Sequence, residues 1–119
     1  MAMPSTSHTV QEHFDKCSRA VAATYARILK AASKLGPVHE DPKKTSIHLV
    51  RKTAFAGIAT RKTSLILTLK SDRDLASNRI VKREQASAHR WHVEIRLEGP
   101  DQVDRELVSW IKKAYELAA

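Results

Sequence analysis

From Trp91 to Leu97, apolar and polar residues alternate without a break. Trp91, Val93, Ile95 and Leu97 take one side of an extended chain, and His92, Glu94 and Arg96 take the other. Such a segment is satisfied only as a half-buried strand, so the chain must build a sheet with one face on a core and one face polar. Two further stretches agree. Thr45 to Val50 puts Ile47 and Leu49 on one side, with Ser46 and His48 opposite, and Ser64 to Leu69 gathers Leu65, Leu67 and Leu69. Between them Ala54 to Ala59 is short, apolar and flanked by Arg-Lys-Thr on both sides, which reads as the middle strand of a meander. The polar stretch from Ser71 to His89 is compatible with a loop, a short helix or an irregular edge strand.

Outside this region the period changes from two to about 3.6. Thr9-Val10-Gln11-Glu12 has the capping-box pattern, and Val10, Phe14, Cys17, Val21, Ile28, Ala32 and Leu35 form one apolar stripe that Gly36-Pro37 ends. The spacing predicts one long helix from Thr9 to Leu35. After Gly99-Pro100-Asp101, a second helix places Val103, Leu107, Trp110, Ile111, Ala114 and Leu117 on a common face. The expected fold is α+β: a two-layer sandwich in which an antiparallel sheet of four to five strands carries the N-terminal and C-terminal helices on one face. Residues 1–8 read as a disordered leader and residues 9–119 as a single domain.

The 119 residues, 42% of them hydrophobic, suffice for one modest core. One cysteine, Cys17, allows neither an internal disulfide nor a cysteine-ligated zinc site, and on an apolar stripe it reads as a small packing residue. Neither a signal-peptide pattern nor a membrane-length apolar run occurs, so a soluble protein of the cytoplasm is expected, with no membrane partner. Oligomeric state is not encoded in any pattern of this kind.

The formal charge is +8, which favours polyanions as partners. Between Pro42 and Ser71 there are seven bases, Lys43, Lys44, Arg51, Lys52, Arg61, Lys62 and Lys70, and no acid. In an up-down-up meander Lys43 and Lys44 share one end of the sheet with Arg61 and Lys62, while Arg51 and Lys52 meet Lys70 at the other. Such clusters suit phosphates. The competing explanation is that turn lysines and arginines only keep sheet ends solvated and block edge pairing. Exposed aromatic stacking platforms are not expected, because Phe14, Phe55, Trp91 and Trp110 belong to apolar stripes.

Chemistry of other kinds is poorly represented. His48, His92 and Glu94 are expected on the outer sheet face and would form a metal set only if strand order joined them. Gly36, Gly57 and Gly99 build no phosphate-cradling loop, no nucleophile elbow is present, and no cofactor is expected. Asp101, Asp104 and Glu106 fall where they complement the dipole of the last helix. A catalytic role is not expected. Arg90 and His92, with Arg79 nearby in sequence, could line a small anion pocket.

Val10-Gln-Glu-His-Phe14, Leu35-Gly-Pro-Val38, Lys44-Thr-x-Ile47, Phe55-Ala56, Ser77-x-Arg79, Arg96-Leu97 and Val103-Asp-Arg-Glu-Leu107 with Trp110 and Ala114-Tyr115 resemble a small bacterial family known as domain of unknown function 5655. The resemblance extends from His8 to Tyr115 and implies a helix-sheet-helix domain, distantly like the YdhG and frataxin-like proteins, with no established activity. It also implies that Lys44, Thr45, Arg79 and His92 occupy recurrent polar positions. The candidate anion-binding set is therefore Lys43, Lys44, Thr45, Arg61, Lys62, Arg79, Arg90 and His92. The frataxin-like link suggests iron handling, but an iron chaperone of that type presents an acidic ridge. Here the first helix offers only Glu12 and Asp15 near its start, and the strands are basic. The leading expectation is a non-catalytic binder of an anionic partner, either nucleic acid or a small anionic ligand. The alternatives are a metal-handling protein or enzyme using His48, His92 and Glu94, and an interaction module for an acidic protein.

Overall fold

A computed structural model of the chain describes residues 8–119. Apart from His8, the leader expected over residues 1–8 lies outside the described residues. Six antiparallel strands, β1 (His39–Pro42), β2 (Ile47–Val50), β3 (Ala54–Thr60), β4 (Leu65–Ser71), β5 (Ile80–Ser87) and β6 (Arg90–Leu97), are ordered β1-β2-β3-β4-β6-β5. Helices α1 (Arg19–Ser33) and α2 (Arg105–Leu117) flank the sheet in sequence. The sheet thus has six strands, where the periodicity predicted four to five. One strand lies outside that count: β1 has the sequence His-Glu-Asp-Pro, with no apolar residue facing a core, while β5 is the stretch between Ser71 and His89, for which an irregular edge strand is one of three readings.

Alternation decides which face is covered. Ile47, Leu49, Ile58, Leu65, Leu67, Leu69, Val93, Ile95 and Leu97 are all buried, and their strand neighbours are only half-buried or exposed. With Val21, Ile28 and Ala32 of α1 and Leu107, Ile111 and Ala114 of α2, they form one apolar cluster, which puts both helices on the same face. Each fully buried valine, leucine or isoleucine there contributes roughly 1.5–3 kcal/mol. Phe55 reaches this core through a bulge opposite Leu49 and Val50, and meets the Tyr115 ring edge-on with centroids 5.3 Å apart. Trp91, expected in the core, is only half-buried. It stands near the β5–β6 turn, where Gln85 is its cross-strand neighbour.

The single helix expected from Thr9 to Leu35 is interrupted. Thr9 and Glu12 do form the reciprocal box, the Thr9 N–H donating to Glu12 Oε1 at 2.9 Å and the Glu12 N–H to Thr9 Oγ1 at 3.2 Å, but they cap only a 3-10 turn, Gln11–Phe14. The chain then extends at Ser18 before α1 begins. The interruption is captured by the sheet: the Ser18 N–H donates to the Lys62 carbonyl at 2.8 Å, and the Thr60 hydroxyl donates to the His13 carbonyl at 2.7 Å. Val10, Phe14 and Cys17 still pack on the core, which is why the apolar stripe runs through the break unchanged.

Candidate functional site

The β1–β2 and β3–β4 turns are built alike. Lys43-Lys44-Thr45-Ser46 closes with the Lys43 N–H donating to the Ser46 carbonyl, and Arg61-Lys62-Thr63-Ser64 closes with the Arg61 N–H donating to the Ser64 carbonyl, each at 2.7 Å. Strand order sets the two turns side by side at one end of the sheet, roughly 10 Å or two strand spacings apart. This is the juxtaposition expected for Lys43 and Lys44 with Arg61 and Lys62. All four side chains, with Thr45 and Thr63, are exposed. Lys43 has a partner in Asp41 at 2.9 Å, and that contact, with His39 and His48 near, holds the Asp41 carboxyl below the usual range. Lys44, Arg61 and Lys62 make no ion pair among the described residues.

The N-terminal segment adds to this end. His13 Nε2 donates to the Lys43 carbonyl at 2.8 Å, and the Ser18 contact to Lys62 starts α1 beside the second turn. Ser18 supplies no side-chain cap, and the first turn of α1 holds no acid, so its positive dipole end is not offset locally. α2 is different: the Asp104 carboxylate accepts the Leu107 N–H at 3.0 Å, with Glu106 in the first turn. The basic character of this end therefore belongs to the β1–β4 side.

Arg79 and His92 are not brought together. The Arg79 guanidinium donates to Asp104 Oδ1 at 2.8 Å, Glu106 Oε1 at 3.2 Å and the Gln102 carbonyl at 2.6 Å, and lies 5.8 Å from the Trp110 ring centroid. Its fork is spent on tying the start of β5 to the start of α2 on the helical side. His92 points to the outer face, between Lys70 and Glu84 in register. Arg90 shares that face, and its guanidinium donates to the His89 carbonyl at 3.0 Å. The metal alternative loses its geometry: Gly57 and Thr68 stand between His48 and Glu94 in one cross-strand row, so these two residues are three strand spacings, roughly 14 Å, apart. Among the described residues no three His, Cys, Asp or Glu side chains cluster closely enough to hold a metal. No helix there is long and apolar enough to cross a membrane.

The outer face carries one feature that the sequence reading did not identify, a trough of about 340 Å³ along β3. Its floor is Ala54, Gly57 and Ala59, with His48 on one side and Thr68, Lys70 and His92 on the other. The signal was the run of small residues in the middle strand. An apolar run read as a middle strand does not by itself say which face its small residues serve.

No curated protein and no solved structure matches the chain. A family model described as Domain of unknown function (DUF5655) matches residues 10–118. That span takes in both helices and all six strands, and the chain belongs to the DUF5655 family.

Proposed function

We propose that this domain binds an anionic partner, the phosphate backbone of a nucleic acid, at the sheet end formed by the twin basic turns. The observation that carries the reading is the side-by-side placement of Lys43-Lys44 and Arg61-Lys62, three of them in no ion pair among the described residues, beside an uncapped helix start. Turn lysines that only solvate a sheet end need no such convergence. Paired turns about 10 Å apart, each carrying long flexible side chains, can reach more than one phosphate of a backbone, which lysine and arginine contact as point charge and fork respectively. Among the described residues this end exposes no stacking aromatic, so base sequence would matter little.

The test is anisotropy of labelled duplex DNA, single-stranded DNA and RNA titrated across salt, with wild type and with Lys43, Lys44, Arg61 and Lys62 changed together to alanine. Log affinity should fall linearly with log salt, and each lost phosphate contact should make the slope shallower by about 0.9 on duplex. A variant with the wild-type slope would refute the site. No binding at low salt would remove nucleic acid and leave a small anion or an acidic protein as the partner.

A further inference from the structure

Gly57 sits in the middle of β3 without a structural need to be glycine. Its backbone is not in the left-handed region, since the one glycine with positive φ is Gly36. A Cβ built on Gly57 would meet His48 Cδ2 at 3.8 Å and Thr68 Cβ at 3.9 Å, ordinary van der Waals contacts. A mid-strand glycine forfeits side-chain packing and costs backbone entropy, and where neither conformation nor crowding demands it, what remains is close approach by another molecule. Gly57 leaves a notch one side chain deep between the His48 ring and Thr68.

The surroundings say what would enter. The floor is apolar and small, on the sheet face that carries neither helix, and side chains rise from β2 on one side and from β4 and β6 on the other. A width of about two strand spacings with so shallow a depth suits a flat ring lying on the pleat. The ionisable residues lining the trough are His48, Lys70 and His92, all of them bases. Lys70 Nζ is 3.2 Å from Thr53 Oγ1 and makes no ion pair among the described residues; the acids nearest in register on this face, Glu84 and Glu94, lie on β5 and β6 and do not line the trough. The volume lies at the small end of the range used by ligand pockets. The geometry points to a second binding site, distinct from the basic turns: a trough on the outer sheet face, floored by Gly57, that takes a planar aromatic carboxylate with its ring on β3 and its carboxylate toward Lys70 and His92.

The probe is 2-naphthoate, with uncharged 2-naphthamide as its control, followed by calorimetry and by backbone amide shifts. Naphthoate should bind saturably and shift Gly57 and Thr68 while leaving Lys44 and Lys62 in place. Gly57→Val should weaken it by at least about tenfold by filling the notch, and the thermal midpoint should not fall, because valine favours strands. Gly57→Ala, the gentler change, should weaken it less. Lys70→Met and His92→Gln should each lower the preference for naphthoate over naphthamide. The assignment is overturned if naphthoate fails to saturate in the millimolar range, if stable Gly57→Val binds it as wild type does, or if the amide binds equally well. The quadruple turn variant should bind naphthoate normally, which keeps this outcome separate from that of the nucleic-acid titration.

Discussion

Replacing Arg79 by alanine removes one guanidinium with three protein acceptors and no solvent-facing task. The largest loss is at the Gln102 carbonyl, which accepts at 2.6 Å and would be left half-buried and unpaired; a charged hydrogen bond of this kind contributes about 1.5–3 kcal/mol. Asp104 and Glu106 have side chains 52% and 53% exposed, so solvent screening leaves each ion pair a minor contribution. Packing over Trp110 adds roughly 0.5 kcal/mol at the centroid distance of 5.8 Å. Allowing for water replacing part of these contacts, Arg79→Ala should cost about 2–3 kcal/mol. For a chain of this length that lowers the melting temperature by roughly 10 °C. Arg79→Lys should recover less than half, since an ammonium cannot span a carbonyl and two carboxylates at once. Circular-dichroism melts and urea titrations of the three proteins measure this. A loss below about 1 kcal/mol, together with loss of anion binding, would refute the reasoning and show a guanidinium serving a ligand rather than the fold.

Two further predictions rest on single residues. Gly36 has φ of 151° and faces the Tyr115 hydroxyl, which itself donates to the Pro37 carbonyl at 3.0 Å, so a Cβ there would strain the backbone and displace that hydroxyl. Gly36→Ala should therefore cost about 1–3 kcal/mol in urea denaturation, and an unchanged midpoint would contradict the geometry. The Asp104 carboxyl is held below the usual range first by the Leu107 N–H and then by Arg79. A depressed folded pKa means the contribution is complete above the unfolded value of about 3.9 and fades as pH falls through the folded value. Wild type and Asp104→Asn should thus differ in melting temperature at neutral pH and converge in acid; a gap constant with pH would argue against the assignment.

What the sequence made legible follows burial. Ile47, Leu67 and Val93 lie on strands with one face on the core, and their alternation placed β2, β4 and β6. β1 and β5 were not placed because neither presents an apolar face: β1 is His-Glu-Asp-Pro, and the residues of β5 after Ile80 are all exposed. The break before α1 was hidden because Phe14 and Cys17 keep their places in the stripe, while the contacts that stop the helix, from Thr60 and to Lys62, come from residues more than forty positions away. At the candidate site, the pairing of Lys43 and Lys44 with Arg61 and Lys62 was readable from the meander alone. Arg79 was not, because its three acceptors lie beyond residue 100 and charge patterning does not reveal whether a guanidinium is already occupied.

β5 has a separate consequence. From Val81 onward it is wet on both faces, Val81 itself is 60% exposed, and only one of its edges is paired, to β6. Detaching it would break a ladder of backbone bonds but uncover little of the core, so its opening costs far less than global unfolding. In deuterated buffer the amides of β5 should lose protection while those of β3 and β4 stay dark, giving the sheet an exchange clock that runs from this edge inward. The Lys82-Arg83-Glu84-Gln85 run along it keeps so accessible a strand from zipping onto a neighbouring molecule. Its side chains answer to solvent more than to the core, and substitutions there that stay polar should change the surface while leaving the fold intact.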